Sequence, residues 1–283
     1  MKMQLDCVPC FLRQALEASR IVTDNPELQT KILKEALAVI ERFDSYKSAP
    51  EMGRAVHGIV KKLTGVTDPY RQIKQNNLKL AEHYYPTLKH YLFRRGSGLD
   101  LVLKIAAIGN NLDAAIYQEV TDVGLLDREL DKGFAICDHK RWEERLKNAK
   151  TLLIIGDNAG ETVFDRVLIE QLLYLDVTYA VRSGPIINDA TLDDAVSARL
   201  DRCARVISTG CDSPGLLLNE CSAEFLEIYQ QADLVISKGQ GNYETLSETA
   251  GREIFFLLKA KCPIIAKYLN VAVGDYIFKF LNQ

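Results

Sequence analysis

The 283-residue sequence contains no apolar run near the length of a membrane span, about 20 residues, so an integral membrane protein is not expected. Met1 to Cys10 lack the charged start and apolar stretch of a secretory signal, and the expected location is cytoplasmic. No basic excess is present. Lys and Arg total 35 against 38 Asp and Glu, a formal net charge of −3, which argues against a general nucleic-acid binder. The GxxxxGK[ST] phosphate loop is absent, and so is a GxGxxG turn, because Glu244 stands where its third glycine would be. There is one CxxC, without a second CxxC or a paired HxxxH, so a four-ligand zinc site is incomplete. None of the four histidines, His57, His83, His90 and His139, pairs with a Ser or Cys in a nucleophile motif. The odd count of seven cysteines, without a signal segment, excludes a disulfide framework and predicts mostly reduced thiols.

What is present divides by position. The first hundred residues carry 16 basic and 11 acidic side chains; the remainder carry 19 and 27. The first part reads as helical. Leu28, Ile32, Leu33, Leu37, Ile40 and Phe43 share one helix face, with Asn25-Pro26 as the start. Further helical stretches run from Pro50 to Leu63 and from Tyr70 to Phe93, the latter kinked or split at Pro86. Shorter ones cover Leu99–Ile108 and Asn111–Val120. After a charged helical stretch from Asp138 to Ala149, the pattern changes. Thr151–Ile155, Val177–Val181, Arg205–Ser208, Leu234–Ser237 and Ile254–Leu258 are short apolar runs separated by helical segments. Strands alternating with helices predict a parallel sheet with right-handed crossovers. The expected architecture is α/β: a helical N-terminal region, 1–137, packed on a Rossmann-like, mostly parallel open sheet flanked by helices, 138–283.

Open sheets of this kind bind ligands beyond the carboxyl ends of their strands. Four polar segments follow predicted strands: Gly156–Glu161, Arg182–Asp189, Thr209–Ser213 and Ser237–Glu244. Asp157, Asn158 and Asp189 offer two carboxylates and an amide oxygen, a set suited to Mg²⁺ or Mn²⁺. The competing reading makes them helix caps. Lys238, in a Gly-rich strand-to-helix turn, is a candidate phosphate contact; the alternative is a tight turn with an exposed lysine. Asn110 and Asp113 are three apart and share a helix face, as ligand contacts or as a cap. Cys7 and Cys10 form the CxxC, either buried packing residues or a reactive pair.

In chain order, Asp6-Cys-Val-Pro-Cys10, Gly109-Asn-Asn-Leu-Asp113, Gly156-Asp-Asn-Ala-Gly-Glu161, Asn188-Asp189 and Lys238-Gly-Gln-Gly-Asn-Tyr-Glu244 resemble the damage-control phosphatase family, long called domain of unknown function 89. The CxxC resembles that of its prokaryotic branch. The resemblance spans nearly the whole chain. It implies a metal-dependent hydrolase of phosphate monoesters, acting on sugar phosphates or damaged phosphometabolites, with Mn²⁺, Co²⁺, Ni²⁺ or Mg²⁺ as cofactor. It implies that Asp157, Asn158 and Asp189 hold the metal, with Asp157 and Asp189 as the catalytic carboxylates. It implies that Asn110, Asp113 and Lys238 contact substrate, and Asn242, in the same motif as Lys238, is placed with them. The expected partner is a small phosphorylated metabolite, with neither nucleic acid nor membrane; the sequence assigns no oligomeric state. Whether an aspartate or water attacks phosphorus stays open. Two other functions stay open as well: a non-catalytic binder of metal and phospho-ligand, and a thiol or metal sensor using Cys7 and Cys10.

Overall fold

The computed structural model describes residues 1–96, 98–111 and 123–282. The helical stretch expected at 111–120, and Asp113 with it, lies outside the described residues. The chain begins with helices α1 (Cys7–Val22), α2 (Pro26–Ile40), α3 (Ala49–Thr64), α4 (Arg71–Arg95), α5 (Leu99–Ile108) and α6 (Val123–Asp131). It continues as β1 (Phe134–Cys137), α7 (His139–Leu146), β2 (Thr151–Ile155), α8 (Glu161–Ile169), β3 (Asp176–Val181), α9 (Leu192–Ser197), β4 (Arg205–Ser208), α10 (Ala223–Gln231), β5 (Leu234–Lys238), α11 (Gln240–Leu246), β6 (Glu253–Lys259), α12 (Pro263–Leu269) and β7 (Tyr276–Asn282).

Local chemistry sets the helix starts. The Asn25 side chain accepts from the backbone N–H groups of Glu27 and Leu28, with Pro26 in the first turn. Ser48 does the same for Glu51. Of the two outcomes expected at Pro86, a kink or a split, the split does not occur, and α4 runs through it. The proline sits on the exposed face, where water can satisfy the carbonyl its ring leaves unpaired, while Leu78, Ala81, Tyr84, Leu88 and Leu92 keep the opposite face buried on both sides of it.

The seven strands form one sheet in the order β1-β7-β6-β5-β2-β3-β4. β6, β5, β2, β3 and β4 run parallel. β7 is antiparallel to β6 and parallel to β1, so this edge pair runs opposite to the rest. The sequence reading found the five parallel strands and missed this pair. β1 also places sheet residues before position 138, inside the stretch expected to be helical. Alternate residues of β2 face two cores. Leu152 and Ile154 pack with α4, α5 and α8; Leu153 and Ile155 pack with α10, α11 and α12. From β2 the chain moves outward to β3 and β4, then returns to β5 on the other side of β2. The β2–β5 junction is therefore the topological switch point where open sheets bind ligands.

Helices α1 to α3 cover the strand-end loops on that edge. Ser213 donates to the Pro50 carbonyl at 3.1 Å, Arg54 pairs with Asp212 at 2.7 Å, and the Met1 amino group donates to the Glu244 carbonyl at 2.7 Å. The contact is closest at two glycines. A Cβ on Gly215 would lie 2.4 Å from the Gly241 carbonyl oxygen and 2.7 Å from the Pro50 ring. Gly215→Ala is therefore expected to wedge the helical roof away from the β5–α11 turn and to cost about 1–3 kcal/mol. A lowered denaturant midpoint measures it.

Candidate active site

The site is built at the switch point. Gly156 follows β2 and donates to the Ala180 carbonyl at 2.9 Å. A Cβ there would lie 2.7 Å from the Tyr179 ring and hydroxyl, so only glycine fits. Asp157 and Asn158 come next. Asn158 forms an isolated antiparallel bridge with Asp189, which places the β2 and β3 loops side by side. Two backbone bonds lock that pairing, Ala190 N–H to the Asp157 carbonyl and Ala159 N–H to the Asn188 carbonyl, both 2.8 Å. From the other side, Gly239 (φ 78°) closes on Asp157; a Cβ there would lie 2.0 Å from Oδ2.

Asp157, Asn158 and Asp189 line one wall of a cleft of about 700 Å³. One oxygen of each carboxylate is fixed. Asn110 Nδ2 donates to Asp157 Oδ2 at 2.9 Å, and Arg182 Nε donates to Asp189 Oδ2 at 2.7 Å. Among the described residues, no hydrogen bond holds the other oxygen of either. The cleft's second wall carries Cys7, Cys10 and Phe11 from α1, Pro50 from α3, and Lys261 with Cys262 after β6. The CxxC thus faces the strand-end carboxylates, a placement that the spacing of the sequence did not reveal. Lys261 was not singled out in the sequence at all. Its ammonium is near enough to pull down both Asp157 and Asp189.

The remaining candidates lie behind the wall. Lys238 is fully buried, and its Nζ donates to Glu161 Oε1 at 2.6 Å, to Asp165 Oδ1 at 2.5 Å and to the Ala106 carbonyl at 3.2 Å. All three donors are used, so it does not reach the cleft; the exposed-lysine alternative fails as well. Asn242 is also buried. It donates to the carbonyls of Gly156 and Lys238 and accepts from Arg182 and from Leu216 N–H, knitting four segments together. Asn110 bonds both Asp157 and Glu161, while its Oδ1 is buried without a partner among the described residues.

Charge decides what this arrangement can hold. Five buried carboxylates, Asp157, Glu161, Asp165, Asp189 and Glu244, stand around two buried cations, Lys238 and Arg182, and the exposed Lys261 at the cleft. Burial opposes the Lys238 charge, but Asp165 and Glu161 outweigh it and hold the ammonium up at about 12. For the outer pair, burial wins over the nearby cations. Burial, with repulsion from Glu161, pushes Asp157 up to about 6. Burial pushes Asp189 up to about 8, against the pull of Arg182. The deficit of two positive charges, the all-oxygen donor set and the orphaned Asn110 oxygen fit a hard divalent cation held by Asp157, Asn158 and Asp189.

Comparisons with known proteins identify the family. Residues 3–277 match the model of the damage-control phosphatase ARMT1-like domain. The damage-control phosphatase PH1575 of Pyrococcus horikoshii is 34% identical over 285 residues, covering 98% of this chain and 97% of that protein. A damage-control phosphatase of Archaeoglobus fulgidus is 31% identical over 292 residues and covers all of both chains. An uncharacterised protein of Methanocaldococcus jannaschii is 36% identical over 288 residues, covering 98% of this chain and 94% of that one. The crystal structure of the Pyrococcus horikoshii protein, a member of the domain-of-unknown-function-89 family, superposes with a TM-score of 0.91 at 33% identity and 98% coverage of both chains.

Two outcomes follow from the buried charges. Lys238→Met leaves Glu161 and Asp165 unpaired in the core and is expected to destabilise the fold by about 3–5 kcal/mol, read by chemical denaturation. The second concerns pH. Both outer aspartates stand above their ordinary 3.8, so the metal-free folded protein holds protons that the unfolded chain releases. The stability they contribute is complete below about pH 4 and is lost as pH rises through the folded values, about 6 and then about 8. A bound divalent cation replaces those protons. The rise in melting temperature on adding Mn²⁺ is therefore expected to be larger at pH 8 than at pH 5.5, measured by thermal unfolding.

Proposed function

The chain belongs to the damage-control phosphatase ARMT1-like family, and we propose that it is a metal-dependent phosphatase acting on phosphate monoesters of small metabolites, sugar phosphates or damaged phosphometabolites. The observation that carries this reading is the two-charge deficit beneath a cleft lined by oxygen donors. The divalent cation supplies a Lewis acid that polarises the phosphoryl group and offsets its charge. Mn²⁺, Co²⁺, Ni²⁺ and Mg²⁺ all suit oxygen ligands in this number.

The residues divide the work by depth. Asp157, Asn158 and Asp189 present oxygens to the cleft, and Arg182 and Asn110 fix the orientation of the two carboxylates. Preorganised groups of this kind do not have to reorient as charge develops. Lys238 acts from below. Its ammonium donates to Glu161, Glu161 accepts from Asn110, and Asn110 holds Asp157. Substrate contact falls instead to Lys261, which lines the cleft with an exposed ammonium beside both aspartates. The Lys261 backbone N–H is anchored by Gln240 Oε1 at 3.0 Å, and Gln240 in turn donates to Glu244 at 2.8 Å. The Lys-Gly-Gln-Gly-Asn-Tyr-Glu segment thus places a phosphate-binding lysine from outside its own motif. The apolar patch of Phe11, Pro50, Pro214 and Pro263 suits the carbon skeleton of a small substrate but not a bare phosphate.

Purified protein with Mn²⁺ is expected to hydrolyse p-nitrophenyl phosphate and members of a phosphometabolite panel. Asp157→Asn and Asp189→Asn are each expected to lower kcat/KM by on the order of a hundredfold or more. Lys261→Ala is expected to act mainly by raising KM. Full activity in both aspartate variants overturns the assignment. Metal-dependent stabilisation without turnover of any panel member points instead to a non-catalytic binder.

A further inference from the structure

A group of metal-ligating side chains lies outside this cleft. Cys137 ends β1, His139 begins α7, and Asp100 occupies the first turn of α5. Their donor atoms all lie within 4.8 Å of one another. His139 Nδ1 is 3.7 Å from Cys137 Sγ and 3.6 Å from Asp100 Oδ1. The second distance is too long for an ordinary N–H···O hydrogen bond. It is close to what a shared tetrahedral ion requires. Metal–ligand bonds of about 2.3 Å to sulfur and about 2.0–2.1 Å to nitrogen and oxygen set donor separations of about 3.5 Å and about 3.4 Å.

The geometry points to a second, soft metal site here, in which Cys137 Sγ, His139 Nδ1 and Asp100 Oδ1 bind Zn²⁺ and leave a fourth position to solvent. Thiolate, imidazole and carboxylate on one ion are a zinc set, whereas the cleft's all-oxygen set suits harder cations. On binding, the Cys137 thiol gives its proton to solvent. Asp100 and Asp138 stand close enough to oppose that ionisation, a repulsion a cation would reverse. The connector is already held, because Asp138, between the sulfur and the imidazole, accepts from Phe280 N–H at 2.7 Å and fixes the turn to β7. The chain leaves β1 running opposite to the parallel strands, so this site does not share their carboxyl-end loops. α5 links the two places. Asp100 is in its first turn, and Asn110, ten residues or about 15 Å further on, holds Asp157. A metal at Asp100 would clamp the far end of that strut.

The full-length protein titrated with Co²⁺ tests this without reference to phosphatase activity. A thiolate-to-cobalt charge-transfer band, with intense visible bands of a tetrahedral site, is expected to grow to saturation and to be displaced by Zn²⁺. Cys137→Ser and His139→Ala are expected to abolish the band, and Asp100→Asn to weaken binding about tenfold or more. Asp157→Asn, and the Cys7→Ser/Cys10→Ser double variant, are expected to keep it. Unchanged far-ultraviolet circular dichroism of Cys137→Ser separates ligand loss from unfolding, and the Cys137 side chain is exposed enough for that substitution to be tolerated. No charge-transfer band, a band that survives Cys137→Ser, or one lost instead with Cys7 and Cys10 overturns the proposal.

Discussion

Lys238 sits fully buried in the interior, and its ammonium survives there because Glu161 and Asp165 share it. That ion triad organises the centre of the molecule. It joins the end of β5 to the first turns of α8, and through the Ala106 carbonyl it binds α5 as well. Tyr179 of β3 completes the Asp165 carboxylate with a 2.7 Å hydrogen bond. Two strands and two helices therefore meet at one charge. Breaking it would leave ions unpaired in the core, so the arrangement tolerates very little drift. The same rigidity fixes Glu161, and Glu161 fixes Asn110 beside Asp157. The carboxylate wall of the cleft inherits its geometry from a contact buried behind it.

The triad also explains the imbalance above it. Within the triad, one cation serves two acids. Arg182 serves Asp189 and is tied to Asn242, which leaves Asp157 with an amide for its nearest partner. A protein stabilising only its own fold would not stack carboxylates in this way, because burial raises the cost of each charge. The surplus of buried carboxylate is the electrostatic basis of the proposed metal site. Asn110 shows the same logic at one atom, with its amide nitrogen committed to two carboxylates and its oxygen left without a partner among the described residues.

Much of this was legible in the chain. Continuous apolar runs such as Thr151–Ile155 mark strands buried on both faces, and the polar segments after them mark the ligand edge. The reversed edge pair was not. β1 is four residues long with only alternate burial, and β7 interrupts its apolar pattern with Lys279 and Asn282. Both read as loop until a partner strand is known. Lys238 was legible as important but not in its role. A lysine in a Gly-rich turn looks like a phosphate contact, and only the third dimension shows two acids of α8 already holding it. Lys261 carried no local signal, because its role depends on a cleft assembled from α1, α3 and two strand ends.

The placement of the CxxC follows from the same architecture. The N-terminal helices are not a separate module, since the Met1 amino group and the Pro50 carbonyl are bonded directly to strand-end loops. Cys7 and Cys10 therefore enter the cleft as part of its roof, opposite the hard oxygen ligands. Burial pushes the Cys7 thiol up, so it stays protonated at neutral pH and behaves as a small apolar surface rather than as a nucleophile. With Phe11 and the prolines it gives the cleft one soft wall and one charged wall. The helical roof thus supplies the soft wall of the cleft, and the sheet supplies the charged one.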